Sequence, residues 1–284
     1  MEGCSNFHSH CTFCDGSGHP ENFIKSAIKH KFRAYGFSSH SPIPFETSWN
    51  MSKALMTEYI TEINRLKKKY AEQIEIYVGL EIDYIDHTYN ASTNYFRNLP
   101  LDYRIGSVHF TQWRQPLSAE NMICIDGGFR DFEEGVRLHF DGSIRRITEV
   151  FFDTSMKMVE AGGFDIVGHI DKIYMNSSKY PGFDRQAVWY QKPFLELLDL
   201  VAEKGLIVEI NCKNKMRNGQ VFPHIESFQE LKKRKIPIMV NSDCHIPDLV
   251  NDGRMETLAI LKAVGFSVTR ELVNNQWQEV SISE

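Results

Sequence analysis

The chain has 284 residues, 42% of them apolar, and a formal net charge of −5. That length suits one α/β barrel, and the acidic balance argues against a protein that grips nucleic acid over a broad surface. No stretch approaches the roughly 20 apolar residues of a membrane span, no secretory segment opens the chain, and the six cysteines are irregularly spaced, so the reduced cytoplasm is the expected setting.

The first strand-like run, near 5–8, leads into His8-Ser9-His10. Residues two apart on a strand share a face, so both imidazoles can reach one cation. The loop beyond carries Cys11, Cys14 and Asp15. The lone CxxC pair reads as small side chains lining that loop. Asp15 is the candidate ligand there, with His19 as its rival unless His19 caps the helix expected at about 20–32. A second run, 34–39, ends at His40 in SSHSP, where Pro42 stops the strand. The helix expected at 52–70 closes on Lys67 to Lys69, charges that oppose the helix dipole.

The third run, 74–82, delivers Glu81 after IYVGL. A buried, unpaired glutamate is costly, and bridging two cations would offset that. Asp83 shares its face and is expected to turn to solvent or substrate. A helix is expected at 89–98, then a run at 102–110 that ends on His109. The long gap to Asp165 holds IDGGFRDFEEG, a candidate lid or substrate wall, before a helix at 143–162 that Gly162-Gly163 stops.

Run 165–170 ends on His169, with Lys172 three residues beyond. Asp184 marks the start of a helix at 184–204 and Gly205 its stop. Run 206–211 holds Glu209 and is followed by Arg217; a helix is expected at 223–235, ending in another basic cluster. Run 237–242 delivers Asp243 and His245, again two apart. A helix at 254–264 and a tail that forms a short hairpin or a helix complete the chain.

Strands alternating with helices imply parallel pairing and right-handed crossovers. Seven such units favour one closed barrel, residues 1–284 forming a single domain, because a barrel gathers all C-terminal strand ends at one mouth. A doubly wound sheet would spread those ends too widely. Imidazoles and carboxylates at six strand ends therefore point to one multinuclear site for zinc, iron or manganese.

FHSH with FCDG, then FSSHSP, VGLEIDY, DYRIGSVHF, DIVGHID, VEIN and NSDCH together resemble the polymerase and histidinol phosphatase (PHP) superfamily, and within it the histidinol-phosphatase branch, from about Phe7 to Asp248. The resemblance implies a distorted (β/α)7, TIM-like barrel with three divalent metal ions. His8, His10, Glu81 and Asp243 would hold one. Glu81 would bridge to a second, bound also by His109 and His169, and Asp15, His40 and His245 would hold the third. It implies a phosphate-binding role for Arg217; Lys172 is a second cation candidate by position. Cys244 replaces the small residue usual in the last motif.

The implied activity is hydrolysis of L-histidinol phosphate to L-histidinol and phosphate, a step of histidine biosynthesis. A hydroxide bridging two metals would attack directly, without a phospho-enzyme. Glu81, Asp243 and His245 are the candidate catalytic residues, Asp243 as acid for the leaving alkoxide. Glu209 and Asp83 are candidates to face the substrate's amine or imidazole. The expected partner is thus a small phosphate ester, with neither nucleic acid nor membrane. The alternatives are a PHP-type exonuclease or phosphoesterase acting on another ester, and a non-catalytic metal-binding barrel.

Overall fold

The computed structural model describes residues 5–282. Its first half runs β1 (Ser5–Asn6), α1 (Pro20–Lys29), β2 (Ala34–Phe37), α2 (Met56–Lys69), β3 (Glu75–Val78), β4 (Glu81–Asp83), α3 (Asn94–Arg97), β5 (Ile105–Ser107), β6 (Phe110–Gln112), β7 (Met122–Cys124), α4 (Phe129–His139) and α5 (Ile144–Ala161). There follow β8 (Ile166–Val167), α6 (Tyr174–Ser177), α7 (Val188–Lys204), β9 (Ile207–Asn211), α8 (Lys215–Asn218), α9 (Phe228–Lys233), β10 (Ile238–Asn241), α10 (Arg254–Val264), β11 (Val268–Val273) and β12 (Gln276–Ser281).

Two parallel sheets form the barrel, in the orders β1-β2-β3 and β10-β9-β8-β5-β4. The third stave is broken. β3 pairs with β2, whereas β4 pairs with β5, so one stretch of chain belongs to both sheets. A parallel bridge between His40 and Glu81 joins the sheets on that side. On the other side Ser9 bridges Cys244, with the His10 N–H donating to the Cys244 carbonyl at 2.9 Å. The ring thus closes through seven staves, as the alternating pattern predicts, in a distorted TIM-like α/β barrel.

The distortion has a physical source. β1 is only two residues long, so at its seam with β10 side chains replace the ladder. Asn241 Oδ1 accepts from the Phe7 N–H at 2.8 Å, and Asn6 Oδ1 accepts from the Ser242 N–H at 2.7 Å. Fully buried Arg254 staples the same seam from α10, donating to the Ser5 and Val240 carbonyls and lying over the Phe32 ring.

Inside the barrel Phe7, Tyr103, Ile105, Ile166, Ile207 and Met239 form a buried cluster. The Tyr103 hydroxyl donates to the carbonyls of Phe7 and Phe37. Its side chain leaves no room for others on two staves: a Cβ at Gly36 would lie 2.4 Å from the hydroxyl oxygen, and one at Gly79 2.3 Å from the ring. The tail resolves as an antiparallel hairpin, β11 with β12. Its Leu272 and Trp277 pack against the same cluster, away from the ligand-bearing strand ends.

Several expected elements are shorter or different. The helix expected at 89–98 is the single turn α3, because Asn90 and Asp86 spend their side chains on turns. That at 223–235 is a 3₁₀ turn followed by the six-residue α9. Asp184 caps a turn through Gln186 rather than α7 itself, which starts at Val188. The expected lid is the hairpin β6–β7 followed by α4, and it is docked: Asn176 Nδ2 donates to the Ile125 and Gly127 carbonyls. No helix among the described residues is long and apolar enough to cross a membrane. Cys4 lies outside the described residues.

Candidate metal centre

The nine sequence-predicted ligands come together at the C-terminal mouth. Seven are buried; the His245 side chain is 18% exposed, and that of Asp15, in the first loop, 31%. Glu81 sits at the centre. Its Oε2 lies 3.2 Å from His8 Nε2, 3.5 Å from His10 Nε2 and 2.9 Å from His40 Nδ1. Its Oε1 lies 2.9 Å from His169 Nε2 and 3.5 Å from His109 Nε2. Asp243 Oδ1 approaches His10 Nε2 at 3.1 Å. Three groups have ligand atoms mutually close enough to hold an ion: His8, His10 and Asp243; His40, Glu81 and His109; and His10, Asp15, His40 and His245.

The donor atoms themselves test the fit. His8 Nε2, His10 Nε2, His40 Nδ1, Glu81 Oε2 and Asp243 Oδ1 are buried without a hydrogen-bond partner. Leaving such atoms unsatisfied is expensive, and a cation among them would satisfy them together. Two ligand positions also adopt positive φ without being glycine, His169 at 22° and Asp243 at 48°. Strain of that kind concentrates at functional sites.

Outer carboxylates aim the rings. His8 Nδ1 donates to Glu209 Oε1 at 2.6 Å, which turns its Nε2 inward. His109 Nδ1 donates to Asp83 Oδ1 at 2.8 Å with the same effect. Glu209 is itself held by Asn211, Asn241 and the His169 N–H. This corrects the expectation that Glu209 and Asp83 face the substrate: both are fully buried and pinned to ligand histidines, the usual arrangement around a metal-binding imidazole.

Burial works against the charge on Glu81, yet His8, His109 and His40 hold its carboxyl well below the usual carboxylate range. Burial also opposes charging of His109, but Asp83 and Glu81 push it up to about 10. Burial, with His245 and His40 beside it, holds His10 well below its ordinary value. Asp243 resists burial and stays ionised well below its ordinary range, chiefly through Lys213 and His8.

His19, the rival to Asp15, is half exposed and accepts from the Glu21 N–H at the start of α1. Asp15 instead reaches His245 Nε2 at 3.3 Å and His40 Nε2 at 3.8 Å. Arg217 is exposed and lines a cleft with Asp243 and His245. Lys172 is buried, 3.6 Å from Asp126 and over the Phe222 ring. Cys14 Sγ lies 3.5 Å from His10 Nδ1, while the Cys244 thiol turns away to the Tyr35 hydroxyl.

Three residues at the mouth escape sequence reasoning. Lys213 Nζ lies 3.5 Å from Asp243 Oδ1 and 3.3 Å from His245 Nε2; its place two residues past β9 was the available signal. Asp126 comes from the IDGG segment, and Lys172 and His109 hold it ionised against its burial. Trp49, from the irregular loop after His40, packs edge-on to His40 and His109 and stacks on Phe110; no periodicity marks it.

A family model described as the PHP domain matches residues 6–213. The matched stretch stops short of β10, which supplies Asp243 and His245. A histidinol-phosphatase of Bacillus subtilis (strain 168) is 26% identical over 256 residues, 84% of this chain and 92% of that protein. The histidinol phosphate phosphatase of Lactococcus lactis subsp. lactis Il1403, solved with zinc, L-histidinol and phosphate, is similar in structure with a TM-score of 0.75 at 21% identity, over 98% of this chain and 100% of that one.

Proposed function

Because the chain belongs to the PHP domain family, we propose that it is a metal-dependent phosphomonoesterase that hydrolyses L-histidinol phosphate to L-histidinol and phosphate. The single observation that carries this reading is Glu81, whose two oxygens face separate sets of histidines while neighbouring ligand atoms lack hydrogen-bond partners. The names of the B. subtilis and L. lactis relatives support the choice of substrate, and with it a place in histidine biosynthesis.

The donor set of imidazoles and carboxylates suits zinc, iron or manganese. In the proposed arrangement His8, His10, Glu81 and Asp243 hold one ion, Glu81, His109 and His169 a second, and Asp15, His40 and His245 a third. When bound, such ions polarise phosphoryl oxygens and lower the pKa of nearby water.

The remaining work falls to the chain's own groups. Glu209 and Asp83 keep the His8 and His109 rings turned inward. Arg217 and Lys172 bring positive charge toward the phosphoryl group, Lys172 partly offset by Asp126. The thiols are poor nucleophiles, since burial pushes Cys11 up to about 11 and Cys14 up to about 12. The proposed route is direct attack of water, without a phospho-enzyme.

The test is phosphate release from histidinol phosphate, glycerol phosphate and a short oligonucleotide, before and after chelation. Fast, chelator-sensitive turnover of histidinol phosphate is the expected outcome. Negligible turnover of it by metal-loaded protein would sink the proposal, and preferred cleavage of the oligonucleotide would make the chain an exonuclease instead.

A further inference from the structure

One cation at the mouth belongs to the chain itself. Lys213 Nζ lies 3.3 Å from His245 Nε2 and 3.5 Å from Asp243 Oδ1. His245 Nε2 is also the nitrogen that faces Asp15 Oδ2, because its Nδ1 is turned to the Asp243 carbonyl. A metal ion shared by Asp15 and His245 would bring a second positive charge to the same His245 nitrogen that the ammonium faces. An ammonium has donors only and offers a metal nothing; like charges at that range repel.

Lys213 can yield. Its four-carbon stem is flexible, and its side chain is 27% exposed. The cleft beside it is lined by Lys213, Arg217, Asp243 and His245. Displaced into that cleft, Lys213 would join Arg217 above a cluster of divalent ions. Such a concentration of positive charge calls for an anion, and a phosphoryl group is the one this site would receive.

We propose, resting on the phosphatase reading above, that Lys213 guards the outer cation position of Asp15, His40 and His245 and turns to the phosphoryl group once that position is filled. Cation loading and phosphate binding are thereby coupled through one side chain, and thermodynamic linkage makes the coupling reciprocal.

The test reads zinc retention and binding of inorganic phosphate on the full chain, not turnover. It is therefore separable from failure of the phosphatase reading, which would show as absence of phosphate release from histidinol phosphate by the wild type. Lys213→Met and Lys213→Gln remove the charge, and Lys213→Arg keeps it. Without phosphate, the neutral variants should hold the weakest-bound zinc about tenfold more tightly than wild type against a competing chelator. Loaded with zinc, they should bind inorganic phosphate about tenfold more weakly. Lys213→Arg should follow wild type on both readouts. Two neutral replacements are used so that a folding defect in one leaves the other to decide. Neutral variants that retain zinc no better than wild type, or that bind phosphate equally well, overturn the proposal.

Discussion

At the scale of single residues, the outer carboxylates are the most informative. Glu209 accepts from the His8 ring, from two asparagines and from the His169 N–H, so it fixes the tautomer of one candidate ligand and the backbone of another. Glu209→Gln keeps the shape but replaces one acceptor oxygen with a donor. Metal affinity should fall about 10–100-fold, read by titration against a competing chelator; unchanged affinity would remove Glu209 from the support of the site. Tyr103 shows the same dependence on space. Gly79→Ala would drive a methyl into its ring, and overpacking of this kind costs about 1–3 kcal/mol. The expected sign is a lower urea midpoint.

At the scale of elements, the seam between β1 and β10 is the point where the barrel depends on side chains. Asn241 takes the Phe7 N–H that a longer strand would have paired. Asn241→Ala leaves that buried donor orphaned and releases one hold on Glu209. The cost should be about 1–3 kcal/mol, read as a reduced denaturant midpoint, with hydrogen exchange quickening at Phe7. A loss spread evenly over the barrel, with Phe7 no faster than its neighbours, would argue against a localised seam. The same seam carries His8 and His10 on one side and Asp243 and His245 on the other, so its loosening should also weaken metal retention.

At the scale of the whole molecule, folding gathers three carboxylates and six histidines into one buried mouth. Without cations, like charges and orphaned donor atoms there oppose the fold. Ions that bind the native state alone stabilise it by mass action, by about 2.7 kcal/mol per site at a free concentration roughly 100-fold above Kd. Chelation should therefore lower Tm by several degrees, and re-adding zinc or manganese should restore it in calorimetry. A Tm indifferent to both would contradict a loaded metal centre.

The sequence by itself determined the alternation of strands and helices, the seven staves and the positions of eight of the nine candidate ligands. These are local or periodic properties: a histidine at the end of an apolar run stays there in any parallel barrel. Only tertiary structure decided that Glu209 and Asp83 serve the histidines rather than face the mouth, because their partners lie 201 and 26 residues away. It also decided that Asn6, Asn241 and Arg254 close the ring, and that Lys213, Asp126 and Trp49 reach the site from loops without periodic signal. Asp15 needed the fold as well. What separates it from His19 is the approach of His40 and His245 to the first loop, a meeting of distant segments that no local pattern records.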